Sequence, residues 1–295
     1  LFCTLELSER RSLVNDPTRY EARSGTLNHE TQVEPSAVLA QLLWVSQGDQ
    51  MANVTWKKFE GSEGYRKTKL FLRRITGKEL WLRPDVQVQR SDCGDWLIST
   101  DDFPAGGIVY SVGVGDNIDF DLALIQQYGA EVHAFDPTPA SVTWLEAHQP
   151  SPDFHFHPWA VTGHDGFITL YPRARRDGSA SDVMYTMVRD AGAAGDGVEV
   201  PGFSLPTLMQ KLGHNRVDLL KIDIEGAEYE VLDTLIASSA RPAQLLVEFH
   251  HRFPSIDKSM TADRVERLRM IGYRVFTVSS TGREISFVRR SQSTG

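Results

Sequence analysis

From about residue 104 onward, apolar and polar positions switch between two periods in a regular order. Residues 108–114 form a short apolar run of the kind expected for a strand buried on both faces. Gly113 and Gly115 turn the chain at its end. Phe120, Leu124 and Tyr128 then recur at helical spacing, with Asp119 as the expected N-cap and Gly129 at the C′ position. A second strand, residues 131–135, ends on Asp136. Thr138 and Pro139 predict a helix start, with Val142 and Leu145 facing inward.

The alternation continues. Residues 154–161 read as a third strand, and Gly166 turns into residues 167–171. Residues 173–197 are rich in Gly, Ala, Ser, Arg and Asp and read as a mobile, lid-like loop. Residues 198–203 predict a short strand, and Ser204 caps a helix with Leu205, Leu208, Met209 and Leu212 on one face. A fourth core strand spans 217–224, a helix 226–238 and a fifth strand 243–250. Thr261 is the expected cap of a helix burying Val265, Leu268 and Ile271. Two runs, 273–279 and 284–288, flank a turn at Thr281-Gly282 and must lie antiparallel. The fold class is therefore α/β, a Rossmann-like sheet that is mostly parallel with an antiparallel ending.

The first hundred residues pattern more weakly. Residues 1–35 are polar, residues 37–45 suit a short helix, and residues 86–100 read as a hairpin turning at Cys93-Gly94-Asp95. The expected organisation is an amino-terminal extension over 1–103, partly helical and docked on a core domain over 104–295. Residues 56–90 carry ten Lys/Arg against four Asp/Glu, in a chain whose formal net charge is −8. One reading is a solvated helix face with Leu70, Phe71 and Ile75 packed inward. The sharper one is a basic cover that offers Lys69, Arg73 or Arg74 to an anionic acceptor.

The overall charge gives no case for a nucleic-acid partner. Cys3 and Cys93 are too few for a disulfide framework and have no metal-ligand spacing. No apolar stretch approaches membrane-spanning length. A soluble, cytoplasmic protein is the default expectation. The start at Leu1 and the sequon Asn53-Val54-Thr55 keep a removed leader and a secretory lumen open. Nothing in the sequence sets the oligomeric state.

Glycines after a first strand let a backbone approach a ligand, and an acid at the tip of the second accepts hydrogen bonds from ribose hydroxyls. That combination suits a nucleotide-type cofactor. A dinucleotide fold wants a third glycine where this chain has Ile118, which counts against an NAD(P)-dependent oxidoreductase. A binding module without catalytic activity is the remaining alternative.

Residues 218–228, D-L-L-K-I-D-I-E-G-A-E, resemble the K-x-D-x-E-G-x-E signature of FkbM-type and related methyltransferase-like proteins. Tyr110-Ser111-Val112-Gly113-Val114-Gly115, Phe135-Asp136-Pro137 and Val247-Glu248-Phe249-His250 follow the same pattern in order, over about residues 106–290. The glycine loop departs from the commoner D-x-G-A-N form, with Ser111 in place of the acid. The resemblance implies a class I methyltransferase sheet, whose last strand is antiparallel. It implies S-adenosylmethionine as cofactor and, usually, O-methylation of a hydroxyl on a small-molecule or glycan-like acceptor. By the same resemblance Gly113, Gly115 and Asp116 approach the methionine end, Asp136 holds the ribose, and Trp159 and Ala160 border the adenine.

Ligands of open α/β sheets sit beyond the carboxyl ends of the strands. Asp223, Glu225, Glu248 and His250 all fall there and are the candidate catalytic residues, with His250 or Asp223 as the base that takes the hydroxyl proton. The structural alternatives are a Lys221–Asp223 ion pair, helix capping by Glu225 and Glu228, and a buried structural His250. Asp223, Glu225 and Glu248 contain no adjacent Asp-Asp or Asp-Asn pair, so no metal is assigned to them.

Overall fold

The computed structural model describes residues 62–148, 151–175, 178–187 and 195–290. The chain divides into Leu1–Val54 and Thr55–Gly295, and every described residue belongs to the second unit. The helix expected over 37–45, the sequon at Asn53 and Cys3 lie outside the described residues.

The first element among the described residues is α1 (Glu63–Ile75), capped by Ser62, whose hydroxyl accepts the Tyr65 N–H. Of its apolar residues only Leu70 is buried, against the turn at Gly282. Phe71 and Ile75 are more than half exposed, contrary to the inward packing expected of them. The helix is tied down by its polar groups instead. Arg73 reaches Glu79 and the Lys78 carbonyl, and Arg74 donates to the carbonyls of Leu80 and Leu82. The two arginines expected to be available to an acceptor are thus bound to the segment that follows their own helix.

A hairpin of β1 (Arg90–Cys93) and β2 (Trp96–Ser99) follows, turning at Gly94 as its sequence predicts. The core then alternates. It runs β3 (Ile108–Val112), α2 (Asp119–Tyr128), β4 (Glu131–Phe135), α3 (Pro139–Ala147), β5 (Phe154–His157) and the short β6 (Ala160–Val161). Next come β7 (Gly166–Ala174), β8 (Ala180–Thr186), β9 (Val198–Phe203), α4 (Leu205–Leu212), β10 (Leu219–Ile222) and α5 (Glu228–Ala237). The chain closes with β11 (Gln244–Glu248), α6 (Lys258–Met270), β12 (Tyr273–Val278) and β13 (Glu284–Arg289).

Seven strands form the main sheet in the order β12-β13-β11-β10-β3-β4-β5. β3, β4, β5, β10 and β11 are parallel, while β13 runs antiparallel to both β11 and β12. Alternation along the strands fills two cores. Tyr110, Val112, Leu220, Ile222 and Val247 face one way, against α4, α5 and α6. Val109, Val132, Ala134, Leu219 and Leu246 face the other, against α2, α3 and the first hairpin. Burial on both sides explains why these strands read as continuous apolar runs.

Three local expectations change. Asp119 is the first residue of α2 rather than its N-cap: Ile118 takes that position without a side-chain cap, and the Asn117 side chain just before it accepts the Asp119 N–H at 2.9 Å. Asp257 caps α6 and accepts the Ser259 N–H, whereas Thr261 lies buried inside that helix and bonds Tyr229. The stretch 173–197 is not a simple loop. β7 and β8 pair antiparallel through it, and with β6 and β9 they make a four-stranded sheet.

Candidate active site

The carboxyl ends of β3, β4 and β10 open into a cleft of about 210 Å³. Gly113 sits at its floor with φ 78°. A Cβ at this position would fall 1.7 Å from the Asp223 carbonyl oxygen, so no other residue fits. The turn is held from three sides. Gly113 N–H donates to Phe135 O (2.9 Å), Asp223 N–H donates to Val112 O (3.0 Å), and Lys221 Nζ donates to Gly113 O (3.0 Å). Lys221 therefore braces the glycine turn and is not paired with Asp223. Near it, Asp121 is buried beneath the loop, and that burial lifts its carboxyl to about 6 against the opposing pull of Lys221. Nothing in the sequence pattern singles out Asp121, because it looks like an ordinary first-turn acid.

Gly115 also has a positive φ, 59°, but a Cβ there would meet nothing within 4 Å. Its N–H donates to Asp136 Oδ2 at 2.9 Å. Asp136 Oδ1 accepts both the N–H and the hydroxyl of Thr138, at 2.9 and 2.7 Å. A carboxylate offers about four acceptor positions, so three protein donors leave roughly one for a ligand. Trp159 and Ala160 line the cleft beside Asp136, with Trp159 stacked on His157 at 4.8 Å and edge-on to Phe203. Met184, Tyr185, Thr186 and Met187 form the opposite wall. Composition hid this wall, since its strand lies in the stretch that reads as a loop. Asp116 is exposed and is not among the lining residues, so the turn after Gly115 carries it away from the cleft.

Glu225 follows Asp223 in a left-handed conformation, φ 47°, which a non-glycine residue adopts only under constraint. Two bonds hold it there. Thr186 Oγ1 donates to its carbonyl at 2.8 Å, and Arg173 binds its carboxylate at 2.6 Å. Arg173 also lies 4.3 Å over the Phe253 ring. Arg173 is a site residue that pattern reading missed, because it falls in the Arg-rich stretch mistaken for a loop.

The sequence-predicted acids and His250 do converge, but in two layers. Asp223 and Glu225 line the cleft, while Glu248 and His250 do not. His250 is 3% exposed and sits behind the acids. Its Nε2 lies 3.6 Å from Glu225, 3.9 Å from Glu248 and 4.0 Å from Asp223, and its Nδ1 lies 3.4 Å from Glu228. Burial opposes the charged imidazole, but the adjacent Glu228 carboxylate, with Glu225 and Asp223, outweighs it and carries His250 to about 9. At neutral pH His250 is thus a buried imidazolium with no lone pair to take a proton. Glu248 moves the other way. Burial and the Asp223 charge raise it to about 7, although Arg283 stands 2.5 Å away. Asp223, Glu248 and His250 bring one ligand atom each within 4.8 Å of one another. A protonated imidazole opposes a cation among them.

A parallel sheet with an antiparallel β13 inserted between β11 and β12, and a glycine-floored cleft at its carboxyl edge, define a class I methyltransferase fold. The model of the family described as "Methyltransferase FkbM domain" matches residues 111–275. The chain belongs to that family. "Probable methyltransferase-like protein 24" of Homo sapiens is 27% identical over 162 residues, 54% of this chain and 37% of that protein. Its Rattus norvegicus counterpart is 26% identical over the same shares. The chain therefore matches well under half the length of these curated relatives. The crystal structure of the methyltransferase FkbM from Methylobacillus flagellatus KT superimposes with a TM-score of 0.38 at 11% identity, covering 63% of this chain and 44% of that one. Among the described residues no helix is long and apolar enough to cross a membrane.

Proposed function

We propose that this chain binds S-adenosylmethionine in the cleft and transfers its methyl group to a hydroxyl of a small-molecule or glycan-like acceptor. The observation that carries the reading is the pairing of the two glycines. Gly113 closes against Asp223 with no room for a side chain, while Gly115 leaves open space on the cleft side where a ligand backbone fits. Asp136 retains an acceptor position for a ribose hydroxyl, and Trp159 and Ala160 offer a flat apolar border for a base.

The bound cofactor supplies a methyl group on a sulfonium, already activated for in-line displacement. The chain's own work is placement and proton removal. Asp223 is the proton acceptor in this reading. It lines the cleft, and its nearest ion-pair partner among the described residues is His250 at 4.0 Å. Glu225 is already engaged by Arg173. His250 is a positioning residue here: its fixed positive charge holds Asp223, Glu225 and Glu248 together and compensates the charge of the acid layer. Met184, Met187, Leu170 and Ile224 keep that side of the cleft apolar and limit water.

The test is calorimetry with S-adenosylhomocysteine and with NAD, followed by transfer of a labelled methyl group from S-adenosylmethionine to an extract fractionated for acceptors. Saturable S-adenosylhomocysteine binding and label in a hydroxyl-bearing product are expected. NAD binding in its place would revive the oxidoreductase alternative. Cofactor binding without transfer to any fraction would favour an inactive binding module.

A further inference from the structure

A second group of side chains lies outside the catalytic acids, on the edge of the main sheet. β5 is the edge strand, and its register pairs His155 with His133 of β4. Glu131 precedes His133 by two residues and so shares its face. The alternation E-V-H on one strand and F-H-F-H on the next thus stacks four polar ligand-type residues on one face, with Tyr110 and His214 beside them. Glu131 Oε1 lies 3.1 Å from His133 Nε2 and 3.7 Å from His155 Nε2, and the three ligand atoms all fall within 4.8 Å of one another.

We propose that Glu131, His133 and His155 form a binding site for a divalent transition-metal ion of the imidazole-preferring class, such as Zn²⁺, Co²⁺ or Ni²⁺. A tetrahedral ion with bonds of ~2.0–2.1 Å holds its ligand atoms about 3.3 Å apart, close to the two short separations here. Two imidazoles and one carboxylate suit such ions and disfavour Mg²⁺ and Ca²⁺, which take oxygen ligands. The site is open on one side. The Glu131 and His155 side chains are 46% and 42% exposed, so an ion enters from solvent and keeps positions for water.

The buried ligand is backed as a metal-bound histidine requires. His133 Nδ1 lies 3.0 Å from His157 Nε2, and the two rings are parallel within 9°. A hydrogen bond at Nδ1 fixes the ring and leaves Nε2 facing the ion. The bound ion would cross-link the edge strand β5 to β4 on the flank that carries His157 and, through its stacking, Trp159. The inference stands independently of the cofactor and acceptor assigned above.

The experiment uses the full chain, stripped with chelator and titrated with Co²⁺ by visible absorption and with Zn²⁺ by calorimetry, with Mg²⁺ as control. One ion per chain, a tetrahedral Co²⁺ band and no Mg²⁺ heat are expected. Because the Glu131 and His155 side chains are nearly half exposed, Glu131→Gln and His155→Gln leave the core intact. Each should weaken Zn²⁺ at least 10-fold, and the double variant at least 100-fold. Absence of binding by the parent chain would overturn the proposal. So would parent-like Zn²⁺ affinity in the double variant, which would move the site elsewhere, for instance to Asp223, Glu248 and His250.

Discussion

Glu228 Oε1 accepts the backbone N–H of His250 at 2.7 Å while its other oxygen accepts the N–H of Gly226 at 2.9 Å. One fully buried carboxylate thus joins the turn after β10 to the end of β11, and it places its charge beside the His250 ring. Sequence reading gives Glu228 only a helix-capping role, which understates it. Glu228→Gln should bring His250 down from about 9 toward its ordinary value of 6.5, read by NMR titration of the imidazole. Removing one partner of a buried charge pair should also cost about 3–5 kcal/mol. For the parent chain, the folded pKa lies above the unfolded one. The stabilisation from His250 is therefore complete below 6.5 and lost as the pH rises through 9. A His250 resonance that titrates near 6.5 in the parent would refute the imidazolium assignment.

Gly113 and Gly115 should respond differently to the same substitution. Gly113→Ala drives a methyl group into the Asp223 carbonyl and must displace β3 or β10, so cofactor binding should fall by at least about 100-fold, ~2.7 kcal/mol. Gly115→Ala meets no protein atom within 4 Å and should cost the fold only the left-handed strain of ~1–2 kcal/mol, but its methyl group stands in the space the cofactor is proposed to fill and should also weaken binding. Thermal unfolding and calorimetry with S-adenosylhomocysteine on both variants measure the contrast, which lies in stability. Equal losses of stability would mean that the close approach at Gly113 does not shape the cleft.

Asp136 is both a loop anchor and the proposed ribose ligand. Asp136→Ala removes the acceptor for Gly115 and Thr138 together with any bond to the ligand. Affinity for S-adenosylhomocysteine should drop by roughly 1.5–3 kcal/mol, the scale of a charge-assisted hydrogen bond. Thr138→Val separates the two roles, since it removes the hydroxyl's bonds to Oδ1 and to Ser141 but leaves the Asp136 carboxylate in place for a ligand. It should leave affinity within about 1 kcal/mol of the parent. An Asp136→Ala variant that folds and binds as the parent does would end the ribose assignment.

The core was legible where one physical rule dominated. Apolar runs at 108–114 and 131–135, helical spacing in Phe120–Leu124–Tyr128 and the turn at Thr281-Gly282 each have one reading, and the sheet places them accordingly. The β7–β8 hairpin was not legible, because residues 173–182 are all Arg, Ala, Asp, Gly or Ser and carry no hydrophobic alternation. The acid layer was found by strand-end position. Its depth was not: alternation says which face His250 takes, but not that Asp223 and Glu225 stand between it and the cleft. Arg73 and Arg74 were misread for a similar reason. Charge counts show a basic segment without showing that its guanidinium groups are spent on Glu79 and nearby carbonyls.

Glu79 is the residue through which the segment after α1 is anchored, and it makes the fold acid-sensitive in a defined window. Its carboxylate is almost fully buried and meets His251 Nε2, Arg252 Nε at 3.0 Å and Arg73 Nε at 3.4 Å. Burial alone would raise its pKa. The hydrogen bonds from His251 and Arg252 outweigh that and hold it at about 2, against an ordinary 4.5. Because the folded value is the lower one, the stabilisation is complete above 4.5 and is lost as the pH falls toward 2. Its size is on the order of 3 kcal/mol. Urea unfolding of the parent between pH 7 and 2.5 should show stability declining through this range. Glu79→Gln should be less stable at pH 7 by a similar amount and should decline less steeply in acid. The Asp85–Arg269 pair at 2.6 Å, partly exposed on both sides, serves as the comparison. Its disruption by Asp85→Asn should change the acid limb much less, because solvent screens an exposed pair. If Glu79→Gln keeps the parent's acid slope, the proton uptake comes from other carboxylates and Glu79 does not set the window.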